Sequence, residues 1–250
     1  NSKLISVGPA TVSNIRSVSQ ATVNKFVKLL QGRKVLSVKR RAKMLIFDVD
    51  GPLSMLVHLK MTGQFIFEDK AQRAKTGGKY KILNRPTAPM VQLPCKFTHV
   101  ILHFADGSTL YYNDMRQFGY MRIVKDADID KVKEFKDYGP EPLEKEFTFE
   151  VFQSALKNRK KIPIKLALMD TKVVVGIGNI YSDEILYHAL VLTDRQVDSL
   201  STKFPTSCPL LKKNLCCMRA NEEVAILHVN AFLNQFAPDW LARRYFLLKG

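Results

Sequence analysis

Residues 162–189 read IPIKLALMDTKVVVGIGNIYSDEILYHA, and this stretch decides how the second half of the chain folds. Apolar residues recur at helical spacing on both sides of Gly176 and Gly178, which predicts a helix, a glycine-punctuated turn and a second helix opened by Asn179. Glycines just before a helix leave backbone N–H groups accessible, and the helix dipole makes those groups attractive to an anion. The turn is therefore either a tight helix–helix connection or an anion site, and in a basic protein the expected anion is a nucleic-acid phosphate.

The charge of the chain is large and uneven. The formal net charge is +16, and residues 1–125 hold 21 Lys and Arg against only 6 Asp and Glu. This asymmetry predicts a polyanionic partner for the first half, although a generally basic organellar protein would look similar. No apolar run approaches the ~18 residues of a membrane span, so we expect no membrane partner.

The periodicity of the chain changes near its middle. The first half alternates between apolar and polar residues and carries turn signals such as Asp50-Gly51-Pro52 and Asp106-Gly107, whereas the second half has helical spacing. We therefore predict an α+β protein, with an N-terminal β-sandwich at 1–130, a linker at 131–147 and a helical domain at 148–250. The elements expected within it are strands at 4–7, 35–38, 45–49, 54–59, 99–104 and 109–112, one helix around 26–30, a long mobile basic loop at 70–97, and helices at 149–157, 210–219 and 221–236.

Five ordered motifs resemble the formamidopyrimidine-DNA glycosylase and endonuclease VIII family, over roughly residues 3 to 200. The glycine turn is similar to the family's helix–two-turns–helix motif, and the resemblance implies a fold that binds nucleic acid. The matching segments are VKRRAK at 38–43, HLKMTG at 58–63, NDMRQFG at 113–119, GPEPL at 139–143, and IK, LMD and GIGNIYSDEIL between 164 and 186.

The resemblance also implies roles for individual residues. Members of this family flip a damaged base out of the duplex, and a Met, an Arg and a Phe fill the gap; the matching residues are Met61, Arg116 and Phe118. Without the resemblance, Met61 and Phe118 would be read as core residues. The family positions that grip the phosphate backbone correspond to Lys43, His58, Lys165, Gly178 and Asn179.

The loop motifs carry replacements relative to the family. Lys60 stands in place of a glycine, and Gln117 in place of an arginine. Because such drift suggests relaxed selection on base flipping, we expect phosphate contacts to dominate binding. We also expect Met61, Arg116 and Phe118, which we call the wedge residues, to be dispensable.

Catalytic elements of the family find no match in the sequence. The resemblance implies an N-terminal Pro-Glu pair as nucleophile and proton carrier, but the chain begins at Asn1-Ser2 and has no acidic residue before Asp48. The family's zinc ribbon is also unmatched, since Cys95, Cys208, Cys216 and Cys217 form no CxxC pair, and the tail at 236–241 resembles zinc-free plant and fungal members. No metal or cofactor is expected.

Two functional hypotheses follow from this pattern. The first is a catalytically inactive glycosylase fold that binds duplex DNA or structured RNA, for example as a structural subunit of an organellar ribosome or other ribonucleoprotein. The second is an active bifunctional DNA glycosylase and abasic-site lyase of base excision repair whose terminal segments are missing from the sequence. The basic, Ser-containing start suggests a mitochondrion or plastid, with the nucleus or cytoplasm as the alternative.

Overall fold

The computed structural model describes residues 4–8, 20–81, 90–188 and 191–200. They divide into two compact units. The first unit takes residues up to 40 together with 44–128, and the second takes 41–43 together with 129–200.

The first unit contains two four-stranded sheets of antiparallel strands, as the alternating pattern predicted. Their orders are β1-β8-β9-β5 and β10-β4-β3-β2, and a two-stranded ribbon, β6-β7, accompanies them. The strands are β1 (Leu4–Gly8), β2 (Val35–Arg41), β3 (Met44–Val49), β4 (Leu53–His58), β5 (Gly63–Glu68), β6 (Lys79–Lys81), β7 (Met90–Gln92), β8 (Thr98–Phe104), β9 (Thr109–Asp114) and β10 (Tyr120–Lys125).

A single apolar core joins the two sheets. Phe47 of β3 meets Phe65 of β5 edge to face, with ring centroids 5.7 Å apart, and both rings are fully buried. Helix α1 (Gln20–Leu30) adds Leu30 to the same core, which confirms the predicted helix around 26–30. Burying one such side chain stabilises a fold by about 1.5–3 kcal/mol, so the core makes the β-sandwich the stable arrangement of this unit. The predicted N-terminal β-sandwich is confirmed.

The prediction of a long basic loop at 70–97 is wrong for the described part of that segment. Helix α2 (Lys70–Thr76) forms there because the Asp69 carboxylate accepts a hydrogen bond from the Gln72 N–H (2.7 Å) and Gly77 ends the helix in the left-handed conformation. The ribbon β6-β7 follows, and a second small core anchors it to the sheet. That core comprises Ile66, Tyr80, Leu93, Ile101 and Tyr111.

The second unit is helical and contains the predicted helix–turn–helix. Its helices are α3 (Lys133–Lys136), α4 (Phe149–Leu156), α5 (Ile164–Met169) and α6 (Asn179–His188), with short 3-10 turns at Lys157–Arg159 and Val197–Ser199. Helix α4 confirms the prediction for 149–157, whereas the helices predicted at 210–219 and 221–236 lie outside the described residues. The α4, α5 and α6 helices share a core of Phe152, Ile164, Ala167, Leu168, Val173, Val174, Ile177, Ile185 and Leu186.

Residues 131–147, predicted as a linker, are an ordered part of this unit. The Gly139 N–H donates to the Thr171 carbonyl (2.7 Å), and the Val175 N–H donates to the Pro140 carbonyl (3.2 Å). The turn after α5 is held by Asp170, which accepts from Arg159 Nε at 2.6 Å. Although partial burial opposes it, hydrogen bonding from the Lys172 N–H and the Arg159 guanidinium lowers the pKa of Asp170.

Among the described helices, none is long and apolar enough to cross a membrane. The same residues contain no cluster of three or more His, Cys, Asp or Glu side chains that could hold a metal ion.

Candidate nucleic-acid interface

Two loops, 59–62 and 115–119, lie side by side at one end of the β-sandwich. Strand β5 follows the first loop and β9 precedes the second, and these strands pair with Gly63 opposite Asp114. Strands β4 and β10, which flank the loops on their other sides, are also paired with each other. The topology therefore brings together two motifs that are about fifty residues apart in the sequence. We call 59–62 and 115–119 the paired loops.

A single buried carboxylate organises the paired loops. Asp114 is only 1% exposed, and its Oδ1 accepts hydrogen bonds from the Thr62 hydroxyl and from the Arg116 N–H (3.2 Å). Its Oδ2 accepts from the Gly119 N–H (2.8 Å) and from the Tyr112 hydroxyl (3.3 Å). Burial, and then the negative charge of Asp114, raise the pKa of Tyr112, so this hydroxyl remains a donor. Asp114 therefore fixes the backbone of one loop and ties it to the other.

The paired loops hold their large side chains in solvent. Met61 is 72% exposed and Phe118 is 60% exposed, which excludes the reading of both as core residues. Arg116 is exposed as well, and its Nη1 lies 3.5 Å from the Met61 sulfur. A flexible thioether, a planar cation and an aromatic ring are suited to enter a base stack, pair with a base edge and stack on a base.

Both loops carry backbone strain beside these side chains. Lys60 and Gln117 adopt left-handed conformations with φ of 53° and 57°, and so does Ala42 in the β2–β3 turn (φ 53°). For a residue with a side chain this conformation costs on the order of 1 kcal/mol, and such strain concentrates at functional sites. Gly119 is required sterically, because a Cβ there would lie 2.0 Å from the Tyr112 hydroxyl oxygen.

In the second unit, a lysine meets the start of a helix. Gly178 directly precedes α6, and a Cβ built on Gly178 would lie 2.7 Å from Lys43 Nζ. The absence of a side chain at Gly178 therefore makes room for the ammonium group. Because the start of a helix carries partial positive charge, a lysine ammonium beside it adds to the attraction for an anion. Lys43 and the start of α6 are thus a candidate anion site.

The turn that carries Lys43 is fixed by residues which the sequence reading did not single out. Glu141 Oε1 accepts from the Ala42 N–H (2.5 Å) and pairs with Arg41 Nη1 (3.0 Å). Arg41 Nη2 also donates to the Gly139 carbonyl (2.8 Å), and the guanidinium lies 5.7 Å from the centroid of the Tyr138 ring. In the sequence, the only sign of this contact was that both segments, GPEPL and VKRRAK, belong to the quoted motifs. The structure shows that GPEPL holds the turn of VKRRAK in place.

The other predicted phosphate ligands have distinct surroundings. Lys165 Nζ lies 2.7 and 2.8 Å from the two carboxylate oxygens of Asp183, so Lys165 forms an ion pair with a residue of α6. Asn179 is exposed at the first position of α6. The His58 ring accepts a hydrogen bond at Nδ1 from the Lys60 N–H (3.0 Å), which gives it a structural task in the first loop. His58 and the paired loops belong to the first unit, whereas Lys43, Lys165, Gly178 and Asn179 belong to the second.

The first unit is therefore a β-sandwich with Met61 and Phe118 exposed on its paired loops, and the second is a helical unit in which Lys43 lies beside the start of α6. The sequence matches two family descriptions: the formamidopyrimidine-DNA glycosylase N-terminal domain over residues 5–121, and the formamidopyrimidine-DNA glycosylase H2TH domain over residues 138–217. The chain belongs to the formamidopyrimidine-DNA glycosylase family, whose fold is a β-sandwich followed by a helix–two-turns–helix domain.

Individual relatives agree with this assignment. The formamidopyrimidine-DNA glycosylase of Listeria innocua is 36% identical over 180 residues, covering 72% of this chain and 58% of the relative. That of Cytobacillus firmus is 37% identical over 183 residues, with the same two coverages. The chain therefore spans less than two thirds of the length of these relatives. The solved complex of the Lactococcus lactis protein with abasic-site DNA is similar in structure, with a TM-score of 0.65 and 25% identity, covering 86% of this chain and 68% of that one.

Proposed function

We propose that this chain binds duplex DNA and holds one nucleotide out of the base stack, the recognition step of base excision repair. The observation that carries the proposal is the exposure of Met61 and Phe118 on loops locked by buried Asp114. Large apolar side chains held in water by an ordered backbone lose hydrophobic free energy unless a ligand covers them. A duplex with a gap in its base stack is such a ligand, because the bases on either side of the gap cover the inserted side chains. Filling the gap also offsets part of the free-energy cost of flipping the nucleotide.

Phosphate contacts supply the remainder of the binding in this proposal. Lys43 and the start of α6 form a site for one phosphate, and the strongly basic first half of the chain attracts the rest of the backbone. Such contacts fix the register of the duplex but carry no base specificity, so specificity is assigned to the paired loops.

The ribonucleoprotein hypothesis places different demands on these residues. A structured RNA held by its backbone uses phosphate contacts but needs no side chain inserted into a stack. The exposed pair Met61 and Phe118 therefore supports DNA over RNA, and the solved relatives bound to abasic-site or lesion-containing DNA point the same way. This observation also favours a working wedge over the dispensable one that Lys60 and Gln117 suggested.

We further propose that the whole protein acts in base excision chemistry, as its named relatives do. The prediction for residues 1–250 by themselves is narrower: the amine of Asn1 forms no Schiff base with an abasic site, because a Pro-Glu pair is not present there. Borohydride trapping on an abasic duplex tests this, and a covalent protein–DNA adduct would contradict it. The likeness to zinc-free members and the organellar location stay predictions, which the full reading frame around these residues will test.

The wedge is tested by the triple variant Met61→Ala, Arg116→Ala, Phe118→Ala. Its preference for an abasic duplex over a matched duplex should fall to roughly one tenth of the wild-type ratio, since filling the gap offsets a few kcal/mol of unstacking. Affinity for the matched duplex should change little. Equilibrium binding is measured by fluorescence anisotropy on three probes: matched duplex, abasic duplex and a structured RNA.

A matched control removes the same kinds of side chain elsewhere in the first unit. Leu36 and Met90 are 53% and 50% exposed, and Lys125 is exposed at the far end of β10. The variant Leu36→Ala, Met90→Ala, Lys125→Ala should keep the preference for abasic DNA. If the wedge variant kept that preference while wild type bound structured RNA more tightly than either duplex, the ribonucleoprotein hypothesis would replace ours.

A further inference from the structure

Lys60 occupies a position where the backbone conformation would cost less free energy for a glycine. Its backbone is left-handed (φ 53°), and its N–H is held by the His58 ring at 3.0 Å, so the conformation is enforced by its surroundings. Glycine adopts this conformation without a steric penalty, whereas lysine must be forced into it. A side chain retained at such a position calls for a contribution that the folded chain alone does not provide.

The Lys60 side chain is part of a cationic cluster around one ring. Its Nζ lies 5.9 Å from the centroid of Tyr120, and the guanidinium carbon of Arg122 lies 5.8 Å from the same centroid. Within the part of the chain that the structure describes, Lys60 makes no ion pair with a carboxylate. Lys60 and Arg122 therefore place two positive charges beside one ring, and this concentration of charge favours an anion nearby.

The position of this cluster identifies the anion. Lys60 directly precedes Met61, and Met61 contacts Arg116 of the neighbouring loop. A side chain inserted at a displaced nucleotide has the phosphodiesters on either side of the gap as its nearest anions. A lysine ammonium, a compact point charge on a flexible stem, suits a phosphate better than a base edge.

We propose that Lys60, supported by Arg122 across the Tyr120 ring, binds a phosphodiester that flanks the displaced nucleotide. The inference rests on the proposed function and deepens it, because it adds a phosphate contact to the wedge loop itself. The strained backbone at Lys60 then has a purpose: it directs a cation toward the strand that the wedge distorts.

Four single substitutions test the proposal on the abasic duplex. Lys60→Gly relieves the strain and should raise Tm by about 2–4 °C, while lowering affinity roughly three- to tenfold by removing one phosphate contact. Lys60→Met keeps the stem without the charge, and should reduce the slope of log K against log salt by about 0.9. Lys60→Arg should retain the wild-type slope. Lys125→Met removes an exposed charge at the far end of β10 and should change the slope and the affinity much less than Lys60→Met does.

Each outcome separates this inference from the proposed function. If wild type binds the abasic duplex with strong salt dependence but Lys60→Met has the wild-type slope, the inference is overturned and the proposed function stands. A lower Tm for Lys60→Gly would show that the side chain serves folding, and would overturn the inference as well. If wild type binds no duplex, both fail. Opposite changes in Tm and affinity for Lys60→Gly, with a reduced slope for Lys60→Met, support the inference.

Discussion

Replacing Gly178 with alanine should weaken duplex binding by about 50-fold, or ~2.3 kcal/mol, and should leave Tm nearly unchanged. A Cβ at this position would lie 2.7 Å from Lys43 Nζ, the far end of a flexible side chain, which can move aside at little cost to the fold. Gly178 has no left-handed backbone that alanine would strain. The ammonium nevertheless leaves the start of α6, and the anion site loses its point charge. Binding is measured by fluorescence anisotropy and Tm by calorimetry.

A double-mutant cycle with Lys43→Ala provides the control. If Gly178→Ala acts by displacing Lys43, the double variant should bind no more weakly than Lys43→Ala alone, because the two changes remove the same contact. Full additivity of the two losses would contradict this explanation and would assign the effect of the new Cβ to the N–H groups of α6. A large fall in Tm for Gly178→Ala would show that Lys43 cannot move aside.

Replacing Asp114 with asparagine should destabilise the first unit by about 1–3 kcal/mol, because a donor takes the place of one of the two acceptor oxygens that tie the loops together. Each carboxylate oxygen accepts from one backbone N–H, that of Arg116 or that of Gly119. An asparagine side chain presents one oxygen and one NH₂ group, so the NH₂ group must face either the Gly119 N–H or the Arg116 N–H, and of these two the Arg116 N–H also donates to the Thr62 hydroxyl at 3.0 Å. The expected decrease in Tm is about 5–10 °C, and the preference for abasic DNA should fall with it, since the paired loops lose their common anchor.

The matched substitution is Asp106→Asn, in the turn between β8 and β9. Its Oδ1 also accepts two hydrogen bonds, from the Ser108 N–H at 2.9 Å and the Ser108 hydroxyl at 2.6 Å, but Asp106 itself is exposed and lies at the other end of β9. We expect a decrease in Tm of less than about 2 °C, because both bonds end on one oxygen and asparagine keeps such an oxygen. Similar losses for both variants would mean that burial of Asp114 adds nothing to its role.

Local patterns were sufficient for most of the fold. The Asp-Gly signals at 50–51 and 106–107 fall in the turns between β3 and β4 and between β8 and β9, as read from the sequence. Turn chemistry and period-two alternation act over a few residues, and so they can be read from a few residues. The segment 70–97 was misread for the complementary reason. Its basic composition indicated a loop, but the burial of Tyr80 against Ile66 and Tyr111 orders it, and that contact spans distant positions.

The paired loops also combine features that local sequence predicts with features that only contacts between distant residues decide. Their motifs place Met61, Arg116 and Phe118 in the chain, but the sequence left open whether Met61 and Phe118 point into the core or into solvent. The pairing of β5 with β9 and the burial of Asp114 settle that question, because only the assembled sheet brings Thr62 and Arg116 to one carboxylate. Asp114 was part of a quoted motif, yet nothing in its spacing marked it as the anchor of both loops.

What the amino-acid sequence determined by itself is the set of elements and the chemistry that they carry: alternating strands, a glycine turn before α6, and a basic first half. Each of these depends on neighbouring residues or on composition, which needs no knowledge of the fold. Tertiary structure alone decided that Glu141 holds the Lys43 turn, that Lys165 shares its charge with Asp183, and that Lys60 is strained beside Tyr120. Those facts depend on distances between residues far apart in the chain, and such distances exist only once the chain has folded.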